Sequence, residues 1–250
     1  VVLLHAGVGD QREWTEVADR LAGRWRPLTY DRPGHGSSAP APGDDLADLW
    51  AVARVAGPGP CRLVGCSAGG GIALDAALAR PGEVAAMVLV APAVSGAPEG
   101  DLDPATAALS DALDEALGRR DADEVNRLEA RLWLDGPAGP EGRVGGEPRR
   151  RFLAMNAVVL AHELAAEGTD GEAPPGPGAW DRLEELATPT TVACGRRDVP
   201  ILVARAEALA RRLPAGEFAD LGPVAHLPQL EAPAALADTV ARALERTGRR

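Results

Sequence analysis

The sequence predicts an α/β fold: a mainly parallel sheet of about six strands, flanked by helices and interrupted by a helical insertion. Three observations carry this. Short apolar runs alternate with longer stretches of helical periodicity, the pattern of a parallel sheet with crossover helices. The glycine-framed segment Gly65-Cys66-Ser67-Ala68-Gly69 joins one apolar run directly to an alanine-rich helix. A stretch of different texture, from Pro92 to Thr188, separates the fourth apolar run from the fifth.

The candidate strands are Val1–Leu4, Pro27–Asp31, Cys61–Cys66, Val84–Ala91, Thr190–Cys194 and Glu217–Leu221. Helical periodicity marks Arg12–Ala22, Asp45–Val55, Ser67–Arg80, Leu202–Leu213 and Ala232–Arg246 between and after them. Residues 1–91 and 189–250 therefore read as the core, and 92–188 as a helical cap. Within the cap, helices are expected at Asp103–Leu117, Ala122–Leu134 and Pro148–Glu167. Gly168–Gly178, rich in Gly, Pro and acidic residues, reads as a flexible loop returning the chain to the sheet.

At 250 residues and 46% hydrophobic content, the chain can bury one good core. A formal net charge of -11 argues against a nucleic-acid partner, which would require a concentrated basic face. All 26 cationic residues are Arg, so a lysine Schiff base and a P-loop lysine are both excluded. Cys61, Cys66 and Cys194 lack Cys-x-x-Cys spacing, and two of them sit in apolar runs, as reduced core thiols would. Neither a membrane span nor a leader with a basic start and cleavage site is evident, so a cytoplasmic location is the default expectation. Val1 already lies inside an apolar run with no Met before it, which suggests a start partway through a longer protein.

The chemistry-bearing signal is the G-x-S-x-G segment at Gly65–Gly69, in its required strand–turn–helix setting. Such a turn holds Ser67 in a strained conformation, so small residues at Gly65 and Gly69 must let neighbouring backbones pass. The helix that follows aims its positive end at the serine, favouring a developing oxyanion. One backbone donor for that oxyanion would be Ala68 N–H. Gly7, or Val8 beside it, in Leu3-Leu4-His5-Ala6-Gly7-Val8-Gly9 is placed to supply the second.

A serine nucleophile needs a base, and the chain has four histidines. His226 follows the last predicted strand, where an imidazole reaches the top of the sheet; His162 sits within a cap helix. His5 precedes the oxyanion loop and is expected to brace it by bonding to backbone. Asp31 and His35, in the loop Asp31-Arg32-Pro33-Gly34-His35-Gly36-Ser37-Ser38, are expected to bond local backbone without a catalytic part. Asp198, just after the strand Thr190–Cys194, is the candidate acid that holds His226 in one tautomer.

These segments together resemble the α/β-hydrolase family, in particular its small bacterial members with a helical cap. The matching landmarks are the HG-type loop at His5–Gly9, the D-R-x-G-x-G-x-S loop at Asp31–Ser38 and the elbow at Gly65–Gly69. The acid loop at Gly195–Asp198 and the segment Ala225-His226-Leu227-Pro228-Gln229-Leu230-Glu231-Ala232-Pro233 complete the series. Ala6 and Ala225 stand where the family usually has Gly, and the two strands that normally precede the HG loop are absent. With that outer neighbour missing, Pro27–Asp31 is expected at one edge of the sheet and Cys61–Cys66 near its centre.

The resemblance implies acyl transfer to water by Ser67, His226 and Asp198, with Gly7 and Ala68 holding the oxyanion and no cofactor or metal. The substrate would be a small-molecule ester or lactone, selected by the cap. Val8, Met155 and Trp133, the last at the end of an expected cap helix, are the candidates over the pocket; packing of the cap onto the sheet is the alternative place for Trp133. The same fold also hosts carbon–carbon bond hydrolases, cofactor-free haloperoxidases and non-catalytic ligand-binding proteins.

Overall fold

The computed structural model describes residues 1–165 and 178–246. Apart from Gly178, the expected loop 168–178 lies outside the described residues. The core elements are β1 (Val2–Leu4), α1 (Thr15–Leu21), β2 (Leu28–Thr29), α2 (Asp45–Ala56), β3 (Cys61–Cys66), α3 (Ala68–Ala79) and β4 (Val84–Val90). The interval expected as cap contributes α4 (Pro104–Gly118), α5 (Ala122–Glu129) and α6 (Gly146–Ala165). The chain then completes the core with β5 (Thr190–Cys194), α7 (Pro200–Arg212), β6 (Gly216–Asp220), α8 (Pro228–Glu231) and α9 (Pro233–Arg246).

The six strands form one parallel sheet in the order β2-β1-β3-β4-β5-β6. β2 lies at an edge, as expected. It is shorter than the apolar run because its one neighbour, the three-residue β1, offers so little to pair with.

The apolar runs lack polar alternation because both faces of the sheet are buried. Leu63, Met87, Leu89 and Val192 point to one face, against Leu74, Ala77 and Leu209 of α3 and α7. Val64, Val88, Val90 and Ala193 point to the other, against Val17, Leu236 and Val240 of α1 and α9. The three cysteines are free thiols, two of them buried.

Both ends of the 92–188 interval depart from the expected cap. Val94 at its start, and Ala179, Leu183 and Leu186 at its end, pack in the same core cluster as α3 and β5. A 3₁₀ turn, Ala179–Glu185, carries this return segment, and the backbone N–H of Trp180 donates to Ser95 O at 3.0 Å. The middle of the interval has a small core of its own, Leu109, Val125, Leu128, Leu132 and Leu160, closed by Val199 at the start of α7.

The helix expected over Ala122–Leu134 stops at Glu129 and continues as a π turn, Ala130–Asp135. Such turns recur where a side chain must be re-aimed, and this one sets Trp133. Arg12–Ala22 likewise divides into a 3₁₀ turn, Gln11–Trp14, capped by Asp10, and α1. Among the described residues no helix is long and apolar enough to cross a membrane.

Candidate active site

Three loops at the carboxyl ends of β1, β3 and β5, together with the loop after β6, converge at the top of the sheet. This is where ligands bind in open α/β sheets.

Ser67 is the N-cap of α3 and has φ +50°, ψ -116°, a strained conformation for a non-glycine residue. The strain is held by bonds on both sides: Ser67 N donates to Val90 O at 2.9 Å, and Ala93 N donates to Ser67 O at 3.0 Å. A Cβ on Gly65 would collide with the backbone of Gly69, and one on Gly69 with the carbonyls of Leu4 and His5. Because those obstacles are backbone, Gly69→Ala is expected to cost about 3 kcal/mol or more of stability, near the upper end of overpacking effects. A urea midpoint within error of wild type would disprove that close approach.

The loop after β1 lies over the start of α3. A Cβ built on Gly7 would stand 4.0 Å from Ala68 Cβ. Ala68 N–H belongs to the first turn of α3, whose donors have no partner within the helix.

The loop's shape rests on two ring–backbone bonds. His5 Nδ1 bonds Ala6 O at 2.8 Å, while its Nε2 accepts from Arg32 N at 3.1 Å. His5 therefore spends both nitrogens on backbone and is neutral; burial, with the nearby Arg32 charge, pushes its pKa down to about 3. His35 Nδ1 bonds Gly9 O at 2.9 Å, and His162 Nδ1 bonds Gly34 O at 2.8 Å. Asp31 accepts the backbone N–H groups of Gln11 and Ser37.

His226 is 3% exposed, and its Nδ1 bonds Asp198 Oδ2 at 2.8 Å; Asp198 is also 3% exposed. The second carboxylate oxygen, Oδ1, accepts Val199 N–H at 2.7 Å. The loop that carries Asp198 can pass the loop that carries His226 only because residue 195 is glycine: a Cβ there would run into Val224 O. The Cys66 thiol donates to His226 O at 3.6 Å, which ties the His226 backbone to the residue before Ser67.

Glu231 and Arg143 hold the loop around His226 in place, and sequence reasoning assigned them no part. Glu231 Oε2 accepts Ala225 N–H at 2.9 Å and Arg143 Nη2 at 2.9 Å. Arg143 also donates to the Leu134 and Asp135 carbonyls, so the His226 loop and the π turn share one clamp. Glu231 was visible within the H-x-P-x-x-E run; Arg143 gave no local signal. His226 N donates to Trp133 O at 3.2 Å, and the Trp133 ring lies against the imidazole with centroids 4.7 Å apart.

Trp133 also lines a cavity of about 570 Å³ between α4, the π turn and the start of α7. Leu102, Leu113, Leu132 and Ile201 supply apolar walls, and Glu99, Asp114, Glu129 and Arg205 are also in the lining. Two other hollows, one around Trp50 and Arg80 and one around Thr190 and Arg246, lie at the opposite ends of the strands. Val8 is half-buried in the loop after β1. Met155, expected over the pocket, is instead fully buried with Phe152 in the core cluster under that loop. Helical spacing alone did not distinguish the face of α6 turned toward Gly9 from a face turned toward a pocket.

Residues 1–239 match the alpha/beta hydrolase family. The chain belongs to that family and is a hydrolytic enzyme. It is 30% identical over 247 residues to a pimeloyl-[acyl-carrier protein] methyl ester esterase from Aromatoleum aromaticum, covering 93% of each chain. It is 29% identical over 236 residues to the dihydrolipoyllysine-residue acetyltransferase component of an acetoin cleaving system from Cupriavidus necator. That match spans 92% of this chain but 59% of the relative's length. Among solved structures, an enzyme that degrades N-acyl homoserine lactones superposes with TM-score 0.70 at 25% identity, covering 96% of this chain and 91% of that one.

Proposed function

We propose that the protein hydrolyses a carboxylic ester or lactone of a neutral small molecule through an acyl-enzyme on Ser67. One observation carries this reading: the buried 2.8 Å bond between His226 Nδ1 and Asp198 Oδ2, on a loop tethered to the residue before the strained serine. With Nδ1–H donating to the carboxylate, Nε2 is left as the acceptor for the Ser67 hydroxyl proton.

Ser67 Oγ attacks the carbonyl as His226 takes its proton. The tetrahedral oxyanion accepts from the N–H groups of Gly7 and Ala68. Its collapse breaks the ester bond, and His226 returns the proton to the leaving alkoxide. Water then attacks the acyl group with His226 as base, releasing the acid and restoring Ser67.

Substrate choice falls to the cavity under the cap. Its volume is in the range of small-molecule sites. Three carboxyl side chains against one Arg in its lining disfavour an anionic chain end. The relatives named as acting on a methyl ester and on a lactone are in keeping with this class.

The test is a panel of p-nitrophenyl esters of graded chain length, alongside lactones and a carboxylate-terminated ester. Neutral esters or lactones are expected to be turned over at least tenfold better, in kcat/KM, than the carboxylate-terminated one. Absence of turnover across the panel, with no fluorophosphonate adduct on Ser67, would refute the reading.

Trp133→Ala should reorder the panel by kcat/KM while leaving the melting temperature within a few degrees. Cavity contacts act on transition-state binding, whereas core contacts act on folding. A loss of roughly 3 to 5 kcal/mol in stability with the order unchanged would instead make Trp133 a core residue.

A further inference from the structure

Glu13 is a buried carboxyl that none of the acyl-transfer steps requires. It lies in the 3₁₀ turn Gln11–Trp14 and is 1% exposed. Its Oε1 accepts Ala6 N–H at 3.0 Å, one residue before Gly7, and also accepts the Gln229 amide at 3.0 Å. Gln229 is in α8, three residues beyond His226. Glu13 Oε2 and Gln229 Oε1 have no hydrogen-bond partner. Oε2 also occupies the space that a side chain on Gly9 would need.

We propose that Glu13 is a positioning residue for the reaction, its carboxyl joining the oxyanion loop to the segment that carries His226 and thereby aiming the Gly7 N–H. The proposal rests on the acyl-enzyme reading and deepens it. Ordinary packing would favour an apolar side chain here, since a buried polar group with an unpaired oxygen costs free energy. A carboxyl in this place supplies what an apolar residue cannot: an acceptor for Ala6 N–H that is simultaneously tied to α8. No substrate contact is needed.

The charge state follows from the surroundings. Burial pushes the Glu13 pKa up to about 8; Asp10 on the same turn adds to the rise, while the Ala6 and Gln229 bonds and the Arg32 charge oppose it. Cys66 at the end of β3 has its thiol pushed far up by burial and by Glu13. His5 stays neutral, and Met155 of α6 brings a methyl group to Gly9. Below pH 8 Glu13 is thus neutral, close in shape and hydrogen bonding to a glutamine.

Above pH 8 it acquires a buried negative charge one residue from a donor that must hold a developing oxyanion. Like charges repel strongly in that setting. kcat should therefore decline as pH rises through about 8.

The experiment compares unlabelled wild type, Glu13→Gln and Glu13→Ala on a p-nitrophenyl ester from pH 5 to 10, with a separate sample of the wild type tested for labelling at Ser67 by a fluorophosphonate. Glu13→Gln should keep kcat at pH 7 within about threefold and lose the alkaline decline. Glu13→Ala should lower kcat on the order of tenfold with KM within about twofold, less than the loss of a whole oxyanion donor. Persistence of the alkaline decline in Glu13→Gln, or wild-type kcat in Glu13→Ala, overturns the proposal. If Glu13→Ala fails to fold, the Glu13→Gln profile decides alone. Absence of label at Ser67 overturns the acyl-enzyme reading and this proposal with it; label at Ser67 with unaltered Glu13 profiles overturns this proposal only.

Discussion

Replacing Ser67 with Ala is expected to lower kcat by roughly 10⁴- to 10⁶-fold and to abolish labelling by a fluorophosphonate. The residue sits where three constraints meet: the end of β3, the first turn of α3, and a carbonyl engaged by Ala93 N–H. Alanine satisfies all three as well as serine does, because the backbone bonds and the flanking glycines hold the turn. The fold should therefore survive and the melting temperature stay within a few degrees. An intact, folded Ser67→Ala protein that still takes the probe would place the nucleophile elsewhere.

Asp198→Asn should be almost as severe, with a loss of roughly 10⁴-fold in kcat. The present carboxylate accepts from both sides, Oδ2 from His226 Nδ1–H and Oδ1 from Val199 N–H. An asparagine has one acceptor and one donor. Keeping its oxygen on Val199 N–H turns its NH₂ toward His226 Nδ1. The imidazole must then carry its proton on Nε2, and it can no longer accept one from Ser67. The side-chain volume is nearly unchanged, so a stability loss above about 2 kcal/mol is not expected from packing. Wild-type kcat in Asp198→Asn would show that another carboxyl orients the base; a pH–rate profile of the variant would then locate it.

The legibility of the site in the sequence follows the range over which each signal acts. Gly65, Ser67 and Gly69 form a local pattern, since a tight strand-to-helix turn can be built from few residue types. Asp198 and His226 were candidates because each follows an apolar run that had to be a strand. The burial of Glu13 beside the loop after β1 was not legible. An acid beside Arg12 and Trp14 reads as an ordinary first-turn helix residue, and its burial depends on Gln229, which lies 216 residues away. Arg143 is hidden for the same reason, its clamp on Glu231 spanning 88 residues. Trp133 was suspected from its place at a helix end, but the π turn that presses its ring on His226 has no sequence signature.

Taken as a string of residues, the chain already specifies a parallel sheet, its edge at β2 and the elbow at Ser67. Apolar runs, glycines and caps impose those features through local geometry and burial. Which of the four histidines meets a carboxylate, which carboxyl is buried beside the loop after β1, and which aromatic faces a cavity were settled only by folding. Trp180 packs with the return segment against the core and Phe152 is fully buried, leaving Trp133 at the cavity, although all three lay in the interval expected to be cap. The physical reason is that desolvation and hydrogen-bond partnership are properties of a site's whole surroundings, and most of those surroundings come from distant parts of the chain.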